Sequence, residues 1–211
     1  AESEKYPHIS YFFNCGFEDI LPGEERVVIE SPKVASYAEK PEMKALEVSK
    51  KLIEIIKDKK FDFILVNFAN VDSVGHSGDL VAATKAVSVV DECISHLWQA
   101  VSKIDGTLIV TADHGNAEQM IRASDGRDPE TFHTLSPVPF ILARNDLNGM
   151  SGSNLNSQDI LAGMVSTKNS LADIAPTILE LLELPKPASM EGNSLLQKII
   201  RVTGVANESK S

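Results

Sequence analysis

The feature that most constrains the fold is a nearly uninterrupted apolar run, FDFILVNF, at residues 61–68. A run of this length and composition is typical of a β-strand that is covered on both faces. A long amphipathic pattern follows from Leu80 to Ser102, and a second β-rich run, TLIVT, occupies residues 107–111. A strand, a helix and a strand in this order predict a right-handed parallel crossover. We therefore expect an α/β protein with a mainly parallel sheet flanked by helices.

Weaker patterns predict further elements on both sides of this unit. Three short runs rich in β-forming residues are expected to be strands: His8–Phe13, Val27–Ile29 and Val138–Ala143. Apolar residues at helical spacing follow Pro41 and recur between Leu171 and Leu184. The stretch 145–170 is rich in Asn, Ser and Gly and is expected to be a long loop with one helical turn near 160–164. The apolar stripe of the long helix is expected to comprise Val87, Val90, Ile94, Leu97 and Val101.

Charge and cysteine content exclude several classes of function. Thirty acidic and twenty basic residues give a formal charge of −10, which disfavours binding to nucleic acid or to anionic membranes. The apolar runs are too short to span a bilayer, and the opening sequence AESEK is not a signal peptide. The two cysteines, Cys15 and Cys93, form no CxxC motif and are expected to be reduced thiols. These features predict a cytoplasmic protein with no nucleic-acid or membrane partner.

Three clusters of carboxylate and imidazole side chains flank the predicted strands. Asp72 and His76 follow the first strand, Asp113 and His114 follow the second, and His133 precedes the strand predicted at 138–143. The carboxyl ends of parallel strands share one edge of a sheet, and ligand sites of open α/β sheets lie outside that edge. We therefore expect the first two clusters to lie close together.

Carboxylate and imidazole donors without thiolate suit Mn²⁺, Zn²⁺ or Fe²⁺ better than Ca²⁺. Each cluster taken alone has a simpler interpretation, since Asp, His and Gly also cap loops and form turns. Taken together on one sheet edge, the clusters favour a metal site over that alternative.

An ordered series of short strings resembles the cofactor-independent phosphoglycerate mutases, a family of the alkaline phosphatase superfamily. The strings are KYPH at 5–8, SPKVA at 31–35, KPEM at 40–43, VNFAN at 66–70, VGH at 74–76 and TADHGNAE at 111–118. The similarity runs from about Lys5 to Leu196. It implies an alkaline-phosphatase-like fold of which this chain is a partial domain, with 1–200 as the C-terminal part of the metal-binding phosphatase-like domain and 201–211 as a polar tail.

The resemblance also implies a reaction and roles for individual residues. The family interconverts 3-phosphoglycerate and 2-phosphoglycerate through a phosphoserine and two divalent metal ions, usually manganese, with magnesium, cobalt or zinc as alternatives. Lys5 matches the family's active-site lysine, which neutralises the transferring phosphoryl group. The implied metal ligands are Asp72, His76 and His133 for one ion, and Asp113 and His114 for part of the other.

Several parts of the family pattern have no counterpart in this sequence. The family's nucleophilic serine, its partner aspartate and the domain with substrate-binding arginines are absent, so the second metal site is incomplete and the chain alone is expected to be inactive. It is expected to be one part of a longer enzyme. Asn14-Cys15-Gly16 stands where Asn-Gly-Gly is usual. Two alternatives remain open: another superfamily enzyme, such as a phosphopentomutase or a phosphatase, or a non-catalytic metal-binding module.

Overall fold

The structure is a computed structural model that describes residues 1–121, 132–147 and 169–196. The helical turn expected near 160–164 and the polar tail at 201–211 lie outside these ranges. No helix in the described part of the chain is both long enough and apolar enough to cross a lipid bilayer.

Contacts divide the chain into two compact units, Ala1–Leu142 and Ala143–Ser211, and each is described by itself. The α-helices of the first unit are α1 (Ala45–Asp58), α2 (Asn70–Gly75) and α3 (Leu80–Lys103). Helices α1 and α3 confirm the two helices predicted in this part of the sequence. They pack together through Leu52 and Ile56 on α1 and Leu97 and Val101 on α3, all of them buried. Burying a side chain of this size stabilises the fold by roughly 1.5–3 kcal/mol.

Helix α2 packs against the beginning of α3 through small side chains. Val74 of α2 is fully buried against Ala82, Ala83 and Ala86 of α3. Alanines let the two backbones approach closely, so α2 is held tightly although it has only six residues. The Asp79 side chain caps α3 by accepting a hydrogen bond of 3.0 Å from the Ala82 amide. The packing of α2 against α3 positions the site described below.

Two short strands form the sheet found in the described residues. β1 (Leu108–Thr111) pairs with β2 (Phe140–Ala143) in antiparallel orientation. An antiparallel bridge between Gly115 and Thr134 lies beyond the end of β1, with the Thr134 amide donating to the Gly115 carbonyl at 2.8 Å. Both strands confirm predictions from the sequence, although β2 begins two residues later than expected.

The strand predicted at 61–68 is not formed, and the parallel crossover with β1 is therefore not found among the described residues. A strand exists only through backbone pairing with a neighbour. Within the described ranges, this segment pairs with no other strand. Its apolar side chains lack the cover that a two-sided strand needs: Phe63, Ile64 and Leu65 are 37–40% exposed.

The prediction of a strand at His8–Phe13 is also wrong. Residues His8–Phe12 form a π-helical turn instead. Local bonds satisfy its backbone, since the Gly16 amide donates to the Tyr11 carbonyl at 2.8 Å and the Ser10 hydroxyl donates to the Tyr6 carbonyl at 2.8 Å. The predicted run 27–29 contributes only a single parallel bridge, between Ile29 and Glu2. Short 3-10 turns complete the unit at Ser3–Lys5, Tyr37–Glu39 and Ala117–Gln119.

The second unit contains 3-10 turns at Asn145–Leu147 and Leu171–Asp173 and the helix α4 (Ile174–Leu181). The last turn and α4 confirm the helix predicted from Leu171. A capping box between Ser170 and Asp173 starts it. The buried Thr177 hydroxyl donates to the Asp173 carbonyl at 2.6 Å and accepts from the Leu195 amide at 2.9 Å, which ties the following segment to α4.

Candidate metal centre

Helix α2 presents two of the ligands predicted from the sequence. Asp72 is the third residue of α2, and His76 directly follows its last residue. A spacing of four residues places both side chains on one face of the helix. The opposite side of α2 is buried through Val74. Oδ1 of Asp72 and Nε2 of His76 lie 3.1 Å apart.

His133 joins this pair from the segment that leads into β2. Its Nε2 lies 3.3 Å from Oδ1 of Asp72 and 3.3 Å from Nε2 of His76. The three ligand atoms therefore form a nearly equilateral triangle at a partly exposed position. Helix α2 and the segment before β2 are far apart in sequence, so this convergence is a property of the fold.

A cation fits this triangle better than hydrogen bonds alone. Three atoms at mutual contact cannot all be joined by linear hydrogen bonds, which need well-aligned donors. Metal–ligand bonds of about 2.0–2.2 Å place neighbouring ligand atoms about 2.8–3.6 Å apart, from the octahedral to the tetrahedral angle. The observed 3.1–3.3 Å lie within this range. Two imidazoles and one carboxylate also suit a divalent transition metal. Asp72, His76 and His133 thus have the composition and the spacing of a metal site.

Lys5 approaches the other oxygen of Asp72. Its Nζ donates to Oδ2 at 2.6 Å, and both side chains are largely buried. Burial raises the pKa of Asp72, but the hydrogen bond and charge of Lys5, the charge of His76 and a hydrogen bond from Asn116 outweigh it and hold that pKa below its usual range. Asp72 is therefore a carboxylate at neutral pH, with Oδ1 directed to the histidines.

The segment that carries Lys5 is fixed at several points. The Ser3 amide donates to the Ile29 carbonyl at 2.9 Å, and the Ser31 amide donates to the Ser3 hydroxyl at 3.0 Å. The buried carboxylate of Glu2 accepts from the Lys44 amide at 2.9 Å. These bonds anchor the turn that places the Lys5 ammonium group at the metal centre.

Asp113 and His114 lie beside the triangle but not in it. The His114 ring stacks on the His133 ring at a centroid distance of 3.5 Å, and its Nε2 lies 3.6 Å from Oδ1 of Asp113. The Asp113 side chain is exposed. The structure thus brings Lys5, Asp72, His76 and His133 into direct contact and places the other two residues as an adjacent pair.

Three polar residues at the centre were given no role by the sequence. Nδ2 of Asn116 donates to Oδ1 of Asp72 at 2.7 Å and lies 3.4 Å from the His76 ring nitrogens. The Glu118 carboxylate accepts from the backbone N–H of Asn116 at 2.7 Å and from the Thr134 hydroxyl. Asn116 and Glu118 lie within the string TADHGNAE at 111–118, which carries part of the family resemblance, so the sequence could have indicated a role for them. Nothing in the sequence places Thr134 beside them.

Two glycines make these contacts possible. A Cβ atom on Gly75 would lie 2.3 Å from Oδ1 of Asn116, and one on Gly115 would lie 2.2 Å from the Thr134 hydroxyl. Neither distance is compatible with a side chain, so both positions require glycine for the present packing.

Comparison with known proteins identifies the family to which the chain belongs. A profile of the Metalloenzyme superfamily matches residues 1–186. The chain is 48% identical over 197 residues to the 2,3-bisphosphoglycerate-independent phosphoglycerate mutase of Clostridium botulinum, strain Langeland. It is 45% identical over 199 residues to the enzyme of that name from Cyanothece sp. PCC 7425. The matches cover 93% and 94% of this chain.

A solved structure gives the same result for the fold. The crystal structure of Leishmania mexicana phosphoglycerate mutase at low cobalt concentration matches 92% of this chain with a TM-score of 0.75 and 31% sequence identity. The chain spans only 36% of that protein, and the same share of the two bacterial relatives. The predicted family resemblance and the alkaline-phosphatase-like fold are thereby confirmed. The chain belongs to the Metalloenzyme superfamily, in which it is similar to part of the 2,3-bisphosphoglycerate-independent phosphoglycerate mutases.

Proposed function

We propose that this chain is the metal-binding part of a cytoplasmic phosphoglycerate mutase that interconverts 3-phosphoglycerate and 2-phosphoglycerate in glycolysis and gluconeogenesis. In this proposal, residues 1–200 form the C-terminal part of the phosphatase-like domain and 201–211 a polar tail. The names of the bacterial relatives support the activity. One observation carries the proposal for the site: the ligand atoms of Asp72, His76 and His133 lie 3.1–3.3 Å apart, as a shared cation requires.

The described residues suggest a division of roles. Asp72, His76 and His133 would hold one divalent ion, with Mn²⁺ the proposed metal, and Asp113 with His114 would hold part of a second. Such ions lower the pKa of a bound hydroxyl and neutralise phosphoryl oxygens. The aromatic stacking of His114 on His133 keeps the two ligand groups adjacent.

Lys5 is proposed as a catalytic residue. Its ammonium group lies at the edge of the metal centre, bound to the oxygen of Asp72 that faces away from the histidines. A fixed positive charge at this position can attract the phosphoryl group of the substrate and balance charge during its transfer.

The chain is proposed to act together with the remainder of the same enzyme. The relatives are about two and a half times as long, since the 197 and 199 matched residues make up 36% of their length. The nucleophilic serine, its partner aspartate and the substrate-binding arginines are assigned to that remainder. The segment 61–68, which pairs with no strand among the described residues, borders an apolar groove of about 420 Å³, lined in part by Ile9, Phe13, Leu21, Phe63 and Leu65. Strands of the remainder are proposed to pair there and complete a mainly parallel sheet.

Isothermal titration calorimetry of the 211-residue chain with Mn²⁺ tests the site. We expect one ion per chain in the Asp72 triangle, and loss of binding in His133→Ala because one of its three ligands is removed. His96→Ala is the matched control, since His96 is an exposed residue of α3 outside the cluster. The same samples should show no turnover of 3-phosphoglycerate.

Either of two results would contradict the proposal. Unchanged Mn²⁺ binding in His133→Ala would exclude the triangle as the site. Robust formation of 2-phosphoglycerate by the isolated chain would show that the nucleophile is not in the remainder of the enzyme.

A further inference from the structure

Asn116 contacts the metal centre without being one of its ligands. Its side chain is 6% exposed and donates from Nδ2 to the same oxygen of Asp72 that faces His76 and His133. Lys5 binds the opposite oxygen at 2.6 Å. The Asp72 carboxylate is therefore held from both sides, and its plane cannot turn without losing one of two short bonds.

Glu118 connects Asn116 to the segment that carries His133. One of its oxygens accepts from the backbone N–H of Asn116 at 2.7 Å, and the other accepts from the hydroxyl of Thr134, the residue after His133. Burial raises the pKa of Glu118, but hydrogen bonds from Thr134 and Ser136 and from backbone amides outweigh it and keep that pKa below its usual range. Hydrogen bonds to an ionised carboxylate are stronger than those between neutral groups, so Glu118 ties the two segments together although it is exposed.

We propose that Asn116 and Glu118 are positioning residues that fix the distance between the α2 ligands, Asp72 and His76, and the third ligand, His133. Asn116 orients the carboxylate, and Glu118 joins the turn at 113–116 to the segment at 133–134. Together they set the affinity and the coordination geometry of the metal centre. This inference rests on the proposed metal site and adds the residues that hold it in shape.

The energetic basis is preorganisation. Bringing two imidazoles and one carboxylate to within 3.3 Å of one another is unfavourable without a cation, because each loses water and freedom of rotation. Residues that hydrogen-bond the ligands hold them in place before the metal binds, and so reduce the free-energy cost of ordering the ligands on metal binding. Removing such a group typically lowers metal affinity by about 10–100-fold.

Co²⁺ titration followed by visible absorption tests the role of both residues in the 211-residue chain. Asn116→Ala and Glu118→Gln should each weaken Co²⁺ binding by about 10–100-fold and change the intensity of the absorption bands, because the ligand geometry relaxes. Gln119→Ala is the matched control, since Gln119 is exposed in the same 3-10 turn. It should leave affinity and spectrum unchanged.

A double-mutant cycle with Gly75 separates positioning from general destabilisation. Gly75→Ala leaves all ligands in place but puts a methyl group 2.3 Å from Oδ1 of Asn116, so it should also weaken Co²⁺ binding. In the Asn116→Ala background, the displaced side chain is gone and Gly75→Ala should cost little further affinity. Thermal unfolding of the metal-free variants shows whether each one folds.

The outcomes distinguish this inference from the proposed metal site. Wild-type Co²⁺ binding with weaker binding and an altered spectrum in Asn116→Ala, together with a non-additive cycle, supports positioning. If Asn116→Ala binds Co²⁺ as tightly as the wild type, or if the affinity losses of Asn116→Ala and Gly75→Ala are additive, the inference is overturned and the proposed metal site remains. Absence of Co²⁺ binding by the wild-type chain overturns both.

Discussion

At the scale of single residues, Glu2 is the most deeply buried acidic side chain of the described part of the chain, with 1% exposure. Its burial raises the pKa of its carboxyl group, and hydrogen bonds from the Lys44 amide and the Ser31 hydroxyl only partly oppose this. The folded state therefore binds the Glu2 proton more tightly than the unfolded chain does. The charge of Glu2 costs stability at neutral pH, although its hydrogen bond to Lys44 anchors the turn that carries Lys5.

The variant Glu2→Gln should be more stable than the wild type at pH 7, since the amide oxygen can still accept from the Lys44 amide. In the wild type, stability falls as the pH rises from the unfolded pKa, about 4.3, to the higher folded pKa. The gain in Glu2→Gln should therefore be absent below about pH 4 and grow above it. Urea unfolding between pH 4 and 8 measures this. Glu92→Gln, at an exposed position of α3, is the control and should show no such trend.

The residues of the metal centre differ in how well the sequence predicts them. Asp72 and His76 were predicted as a pair from their place after the apolar run at 61–68, although no helix was predicted there. In the structure they share one face because they are four residues apart along α2. The role of Lys5 came only from the family resemblance, since a lysine near the start of a chain is ordinarily a solvated residue. Asn116 contacts Asp72, which is 44 positions away in the sequence, and Glu118 contacts Thr134, which is 16 positions away. No spacing rule predicts such contacts.

At the scale of the elements, α1 ends at Asp58 and is followed by Lys59, whose backbone is left-handed with φ 51° and ψ 31°. This conformation costs a residue with a Cβ atom about 1–2 kcal/mol and is usually taken by glycine. The Lys59 amide nevertheless closes the helix by donating to the Ile56 carbonyl.

Lys59→Gly should stabilise the chain by about 0.5 kcal/mol, because relief of the left-handed strain exceeds the added flexibility of the unfolded chain. Lys57→Gly is the control in the last turn of the same helix and should destabilise by about 1 kcal/mol. Chemical denaturation of both variants measures the two changes, and equal signs would contradict the explanation.

Helices were predicted better than strands, for a physical reason. Helix hydrogen bonds are local, so the periodicities that predict α1 and α3 contain most of what those helices need. Even so, Val87 was expected on the buried stripe of α3 and is 48% exposed, because α2 packs on the alanines Ala82, Ala83 and Ala86 instead. A strand needs a partner, so the apolar run at 61–68 could not reveal whether one is available.

At the scale of the whole molecule, the segment 61–68 has no strand partner in the part of the chain that the structure describes. With the apolar groove beside it, the segment forms an exposed edge. An unpaired apolar edge is a template for pairing with another chain. In the absence of the proposed remainder of the enzyme, a second copy of this chain can supply that strand.

The isolated chain should therefore self-associate at micromolar concentrations in sedimentation velocity. Ile64→Lys places a charge on the edge and should shift the population to monomer. Val81→Lys is the matched control, since Val81 is 82% exposed at the start of α3 and away from the groove. A wild-type chain that sediments as a monomer across the concentration series would contradict this prediction.

The two thiols differ sharply in access, which has a practical consequence. Cys93 is buried in α3, whereas Cys15 is exposed, directly after Phe13 and Asn14 of the groove lining. A maleimide dye added to the folded chain will thus attach at a single site without mutagenesis. The emission of the attached dye is expected to change when a polypeptide covers the neighbouring aromatic surface, so the labelled chain can report binding of the proposed remainder of the enzyme.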